Sequence, residues 1–310
     1  MVNYIIRRLI QVLITVWIIV TIVFIAVRLA PGDPAQVMIG RMGSMADYET
    51  IRSFLGLDRP FHVQYYEYIS GLLKGDLGES VYFYEPVLKM ILYRIPYTLQ
   101  LALLAVLSTI VIGVPLGIYC SVKQNSLTSF VLLSLAYSGQ ATAEFWLAIL
   151  LVFIFAVKLR ILPSFGAGTL VHIILPTASI AFPLVARVIR FVRSGLLDIM
   201  QEDFIRTARS KGLDERVVLY KHALRNILIP LVTDMGLQFG WLLGGVVVVE
   251  AVFKWPGLGS LLVAGALTRD YPLIQGCILV FAFLFLFINL LIDILYTFID
   301  PRISYSRLRS

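Results

Sequence analysis

Three acidic residues fall inside apolar runs, where an ionised carboxylate is costly: Glu144, Asp234 and Asp293. Such a group lines a polar pathway, pairs with a cation or caps a neighbouring helix. Glu144, beside Phe145 and Trp146 near the middle of its run, is expected to face a cavity or a partner subunit. Asp234, near the start of its run, is expected either to line a pathway or to meet water or a basic residue such as Arg187. Asp293 reads as a structural cap or pair. Other chemistry is missing from the sequence. There is no HExxH metal pair, no GxSxG elbow and no Gly-Lys dipeptide from which a phosphate-binding P-loop is built. Cys120 and Cys277 belong to apolar stretches and, with His62, His172 and His222 isolated, they form no metal or disulfide pattern.

The elements that must hold these residues are set by composition. Of 310 residues, 59% are hydrophobic and 15% charged, with a mean hydropathy of +0.88, so the expected solvent is a lipid bilayer. The net charge of +7 reads as a cytoplasmic-loop bias, and no nucleic-acid partner is expected. Runs of roughly 20 apolar residues predict six transmembrane helices, near 9–27, 98–120, 130–157, 171–188, 227–249 and 273–298. The first has a basic start but is too long for a cleaved signal peptide. The fourth carries Pro176 and Pro183 and reads as a kinked, pathway-lining span. Segments 1–8, 121–127, 187–226 and 299–310 hold 15 of the 26 Lys and Arg, which places both termini in the cytoplasm.

The expected organisation is therefore an N-terminal transmembrane helix (1–30), an external helical segment (31–97), a five-helix core (98–300) with a cytoplasmic loop at 190–226, and a cytoplasmic tail (301–310). In the external segment, Ser44 and Asp47 resemble a capping box for a helix ending near Gly56. Pro60 opens a second helix, and Pro86 opens a third that ends near Arg94. Its aromatics, Tyr65, Tyr66, Tyr68, Tyr82, Phe83 and Tyr84, read as an interfacial belt in preference to a ligand box. Lys254-Trp255-Pro256-Gly257-Leu258-Gly259 reads as a tight external turn.

The cytoplasmic loop carries the clearest pattern. Leu197, Met200, Phe204 and Ala208 recur at helical spacing from Leu196 to Lys211, with Gln201, Glu202, Arg206 and Arg209 opposite them. Gly212 supplies a left-handed stop, and Asp214 can cap the helix that follows. From Asp198 to Asn226 the charges nearly balance, whereas a membrane-surface helix is strongly basic. The amphipathic helix therefore either docks into a groove on another protein or lies on its own bundle.

Asp203-Phe204-Ile205-Arg206-Thr207-Ala208-Arg209-Ser210-Lys211-Gly212-Leu213, followed by His222-Ala223-Leu224-Arg225-Asn226 and Pro230, resembles the EAA motif of permease subunits of binding-protein-dependent ABC importers, dipeptide, oligopeptide and nickel branch. Pro31-Gly32-Asp33-Pro34-Ala35, Leu55-Gly56-Leu57-Asp58-Arg59-Pro60, Gln64-Tyr65, Gly75-Asp76-Leu77-Gly78, Phe253-Lys254-Trp255-Pro256-Gly257-Leu258-Gly259 and Arg269-Asp270-Tyr271-Pro272 extend the resemblance along the chain. Arg206-Thr207-Ala208 stands in place of Glu-Ala-Ala, and Ala143 stands where relatives commonly carry proline. A straighter third span is expected from that alanine.

The resemblance implies an all-α membrane protein with the type I ABC importer permease (MetI-like) fold and a cytoplasmic coupling helix. It implies a heterodimer with a second permease, two ATPase subunits that bind ATP and Mg, an external solute-binding protein and surrounding lipid. It implies that this chain binds no cofactor and catalyses no reaction. Glu202, Asp203, Phe204, Arg206, Thr207, Ala208, Arg209, Lys211 and Gly212 would couple to the ATPases, with Phe204 as apolar anchor. Glu144 and Asp234 would face the pathway or a partner, and Trp255, Pro256 and Gly257 would contact the binding protein. The expected cargo is a short peptide (dipeptide, oligopeptide or glutathione), with nickel or a metal chelate as the alternative. A self-powered channel or ion-coupled carrier is the competitor from another class, and it would need no docking helix.

Overall fold

The computed structural model describes residues 2–29, 48–49, 52–53, 56 and 58–299; residues 2–9, 233, 237, 240, 241, 243 and 292–299 are described by their backbone alone. The described residues are helical throughout, apart from turns, loops and one isolated bridge between Glu79 and Pro86. The chain forms two compact units, Met1–Thr98 with Pro256–Leu286, and Leu99–Trp255 with Phe287–Ser310.

In the first unit, the expected helix after Pro60 is present as Phe61–Leu73 with Pro60 at its N-cap. Tyr65 and Tyr68 of this helix do not form a belt. Their rings, with that of Phe61, gather on Phe24 of the first helix, Val2–Leu29, at centroid separations of 5.1 to 5.5 Å. Tyr66, Tyr82, Phe83 and Tyr84 are exposed, as a belt would require. The Ser44 and Asp47 cap lies outside the described residues, while Gly56 takes the left-handed φ of 63° expected of a helix stop.

The helix opened by Pro86 does not end near Arg94. Val87–Ser108 runs through Pro96 into the second expected span. Val87 and Ile91 bury against Leu258, Leu261, Leu273 and Cys277 from the helices Leu258–Thr268 and Tyr271–Ile299. The turn between those two helices is organised by buried Asp270. Its carboxylate accepts from Ser80 Oγ (2.5 Å), the Tyr82 amide (3.1 Å) and the Leu273 amide (3.2 Å). A buried carboxylate with three donors satisfies its lone pairs, so its burial is tolerable.

The second unit is built around Ile174–Ile199, which packs against Val114–Val122, Leu127–Ala141, Glu144–Leu151 and Leu224–Val252. Close approach depends on Gly113 and Gly117, spaced as in a GxxxG stripe. A Cβ on Gly113 would lie 2.9 Å from Val188, and one on Gly117 would lie 2.7 Å from Val192. Ile174–Ile199 continues through Pro183. Ser126 caps Leu127–Ala141 by accepting from the Ser129 amide.

The third expected span is not straight. Leu127–Ala141 and the helical stretch Glu144–Lys158 meet at 112°. Thr142 and Ala143 adopt extended ψ values of 128° and 136°, so two residues leave the helix and no proline is needed for the bend. Counting that pair as one span, the described residues contain five candidate spans. The others are Ile10–Leu29, Val87–Val122, Leu170–Ile199 and Tyr271–Leu291. The remaining expected span, 227–249, falls within the 29-residue helix Leu224–Val252.

Candidate functional site

The amphipathic segment is shorter than its sequence pattern predicts. Leu196 and Leu197 belong to Ile174–Ile199, the chain turns at Met200 to Glu202, and a separate helix spans Asp203–Ser210. Glu202, extended at φ −70° and ψ 149°, forms its N-cap. Gly212 follows in the left-handed region at φ 76°, where a Cβ is disfavoured although space around it is open. Asp214 then caps the next helix by accepting from the Arg216 amide at 2.7 Å. A stretch of π-helix, Val218–Ala223, leads into Leu224–Val252.

This break divides the nine expected coupling residues between two faces. Ala208 is buried, as is Ile205, which the sequence pattern had not singled out; both pack with Val192, Leu196, Val218, Leu219 and Ile227 of the same unit. Ala208 is turned inward by its three-residue spacing from Ile205. Phe204 is 45% exposed. Glu202, Asp203, Arg206, Thr207, Lys211 and Gly212 are exposed around it.

Arg209 is exposed but engaged. Its Nε and Nη2 donate to the two carboxylate oxygens of Glu215 at 3.1 and 2.6 Å, bracing the Gly212 turn. This bidentate bond holds the Glu215 carboxyl below its ordinary value and raises that of Arg209. The bracing is complete above the ordinary carboxylate range and is lost as pH falls through the depressed value. Because both groups are largely solvated, its contribution to stability is small.

Within the apolar part of the second unit, Arg187 meets Asp234, one of the two partners the sequence allowed. Arg187 Nε donates to Oδ2 at 3.0 Å and Nη2 to Oδ1 at 2.7 Å. With its amide turned so that oxygen faces the guanidinium, Gln238 accepts from the same arginine at 2.8 to 3.1 Å. The three side chains border a cleft also lined by Val106, Thr109 and Leu184, with room for about one water molecule. Glu144 occupies the first turn after the bend, where a helix N-terminus favours negative charge. Its Oε2 is buried without a hydrogen-bond partner among the described residues and presses against Gly245, where a Cβ would overlap it. The side chain of Asp293 lies outside the described residues.

The turn at 254–259 is present, with Lys254 left-handed at φ 49°; Trp255 is 3% exposed and Gly257 is buried. The turn buries both, next in sequence to exposed Lys254 and partly exposed Pro256.

Residues 113–305 match the family described as binding-protein-dependent transport system inner membrane component, and residues 1–102 match the N-terminal region of such membrane components. The chain belongs to this family. It is thus a multi-pass membrane subunit of a transport system. It is 44% identical over 305 residues to the glutathione transport system permease protein GsiC of Pectobacterium atrosepticum, covering 98% of this chain and all of the relative. Identity to the proteins of the same name from Salmonella choleraesuis and Escherichia coli K12 is 43% and 42%, with the same coverage. Among solved structures, a chain of the inward-facing MetNI methionine ABC transporter superposes with a TM-score of 0.54 at 18% identity, covering 68% of this chain and 96% of that one. This similarity establishes the permease-like helical fold.

Proposed function

We propose that this chain forms one half of the translocation pathway of an ABC importer for short peptides, glutathione among them. Separate ATPase subunits power it, and an external solute-binding protein loads it. Full-length similarity to permeases named for glutathione transport supports the cargo. The observation that carries the mechanism is the short helix Asp203–Ser210, whose inner face is fixed by Ile205 and Ala208 while Phe204 projects outward. Phe204 inserts in a cleft of an ATPase, Arg206 and Lys211 supply rim charge, and Gly212 with the Arg209–Glu215 brace sets the angle of the helix. Six spans with both termini in the cytoplasm put this helix on the ATPase side. A second permease faces the bent span and Glu144, and the binding protein approaches the external side near Lys254 and Pro256.

ATP-driven closure of the ATPase pair moves the docked helix as a rigid knob and switches the pathway between inward-facing and outward-facing states. The test is uptake by proteoliposomes containing this chain, its partner permease, the ATPases and a binding protein, comparing glutathione and dipeptides with chelated nickel. Peptide uptake that requires both ATP and the binding protein is expected. Uptake by this chain alone without ATP overturns the proposal in favour of a self-powered carrier, and uptake of nickel alone overturns the peptide assignment.

A further inference from the structure

Arg187 and Asp234 join the two helices that enter and leave the segment carrying Asp203–Ser210. Arg187 lies about three turns before the end of Ile174–Ile199, and Asp234 lies about three turns after the start of Leu224–Val252. Between this pair and the segment, Val188, Val192 and Leu196 of the first helix pack with Ile227 and Leu231 of the second, and Ile205 and Ala208 close the cluster. The result is a wedge of three elements, with the docking helix at one end and a bidentate ion pair at the other. The apolar cluster resists separation of the helices but tolerates sliding, since burial is non-directional. The fork of Arg187 on Asp234, with Gln238 as a third point, fixes register, because two parallel hydrogen bonds accept only one alignment.

Stability alone does not account for a charged pair here. A partly buried ion pair loses on desolvation much of what it gains by attraction, and an apolar pair of the same volume serves as well. Ion pairs of this kind are best suited to holding register.

Resting on the ABC importer reading, we infer that Arg187, Asp234 and Gln238 are positioning residues that lock these helices to the docking helix, so that displacement by the ATPases reaches the pathway. Breaking the clasp lets the docking helix move while the helices slip, and ATP hydrolysis continues with little transport.

The test uses the complete transporter in proteoliposomes, with ATP hydrolysis and peptide uptake measured on the same preparation. Asp234→Asn removes the ion pair, whereas Arg187→Lys keeps the charge and loses the fork. Both variants are expected to copurify with the ATPases and hydrolyse ATP, while uptake per ATP falls about tenfold, within the range of ordinary coupling free energies. The charge reversal, Arg187→Asp with Asp234→Arg, is expected to restore most of it. Unchanged uptake per ATP in either single variant overturns the inference. So do parallel losses of assembly, hydrolysis and uptake in both, which mark a purely structural pair. If the wild-type transporter shows no ATP-dependent uptake, the importer reading fails first and the inference falls with it.

Discussion

Phe204 and Ile205 are adjacent and similarly apolar, yet one is half exposed and the other fully buried. The sequence pattern grouped Phe204 with Ala208 at four-residue spacing; the packing instead joins Ala208 to Ile205 at three. On a helix of only eight residues both spacings are available, and the inner face is chosen by Val218 and Leu219, which arrive from across the Gly212 turn. Such a choice is tertiary and not legible from the helix itself. Gly212 and Asp214 were legible, because a left-handed stop and an N-cap depend on local chemistry alone. The division predicts opposite phenotypes. Phe204→Ala is expected to leave thermal stability in detergent unchanged while weakening ATPase binding by about 1–3 kcal/mol, as for loss of an aromatic anchor. Ile205→Ala is expected to cost about 2–5 kcal/mol of the chain's own stability through the cavity it leaves. Calorimetry of ATPase binding beside thermal unfolding separates the two, and equal effects from both substitutions would contradict the assigned faces.

At the scale of elements, apolar length made most spans legible, because crossing a bilayer demands about 20 apolar residues whatever the tertiary fold. The 112° bend was not legible from composition. Proline is a sufficient cause of a helix break, and its absence at Ala143 pointed to a straighter span, but Thr142 and Ala143 become extended without it. The break also gives Glu144 a helix N-terminus, which softens the cost of a carboxylate in an apolar setting. The glycine stripe is not legible in the sequence either, since Gly113 and Gly117 show their role only against Val188 and Val192. Gly117→Val is expected to push Val114–Val122 away from Ile174–Ile199, costing about 1–3 kcal/mol by overpacking. A lower melting temperature in detergent would report this, and an unchanged one would mean that the helices have room the structure does not show.

For the whole molecule, the chain supplies a membrane-embedded path and an outward helix, while its sequence lacks the P-loop that would bind and hydrolyse ATP. In the proposed importer, energy enters through a protein contact made by one face of Asp203–Ser210. The most direct test is photo-crosslinking in the assembled transporter, with a photoreactive residue placed singly at positions 204, 205, 206 and 208. Crosslinks to the ATPase from 204 and 206, with none from 205 and 208, are the predicted result. Crosslinks from 204 only to this chain's own helices, or to the ATPase from 205 and 208, would contradict the account.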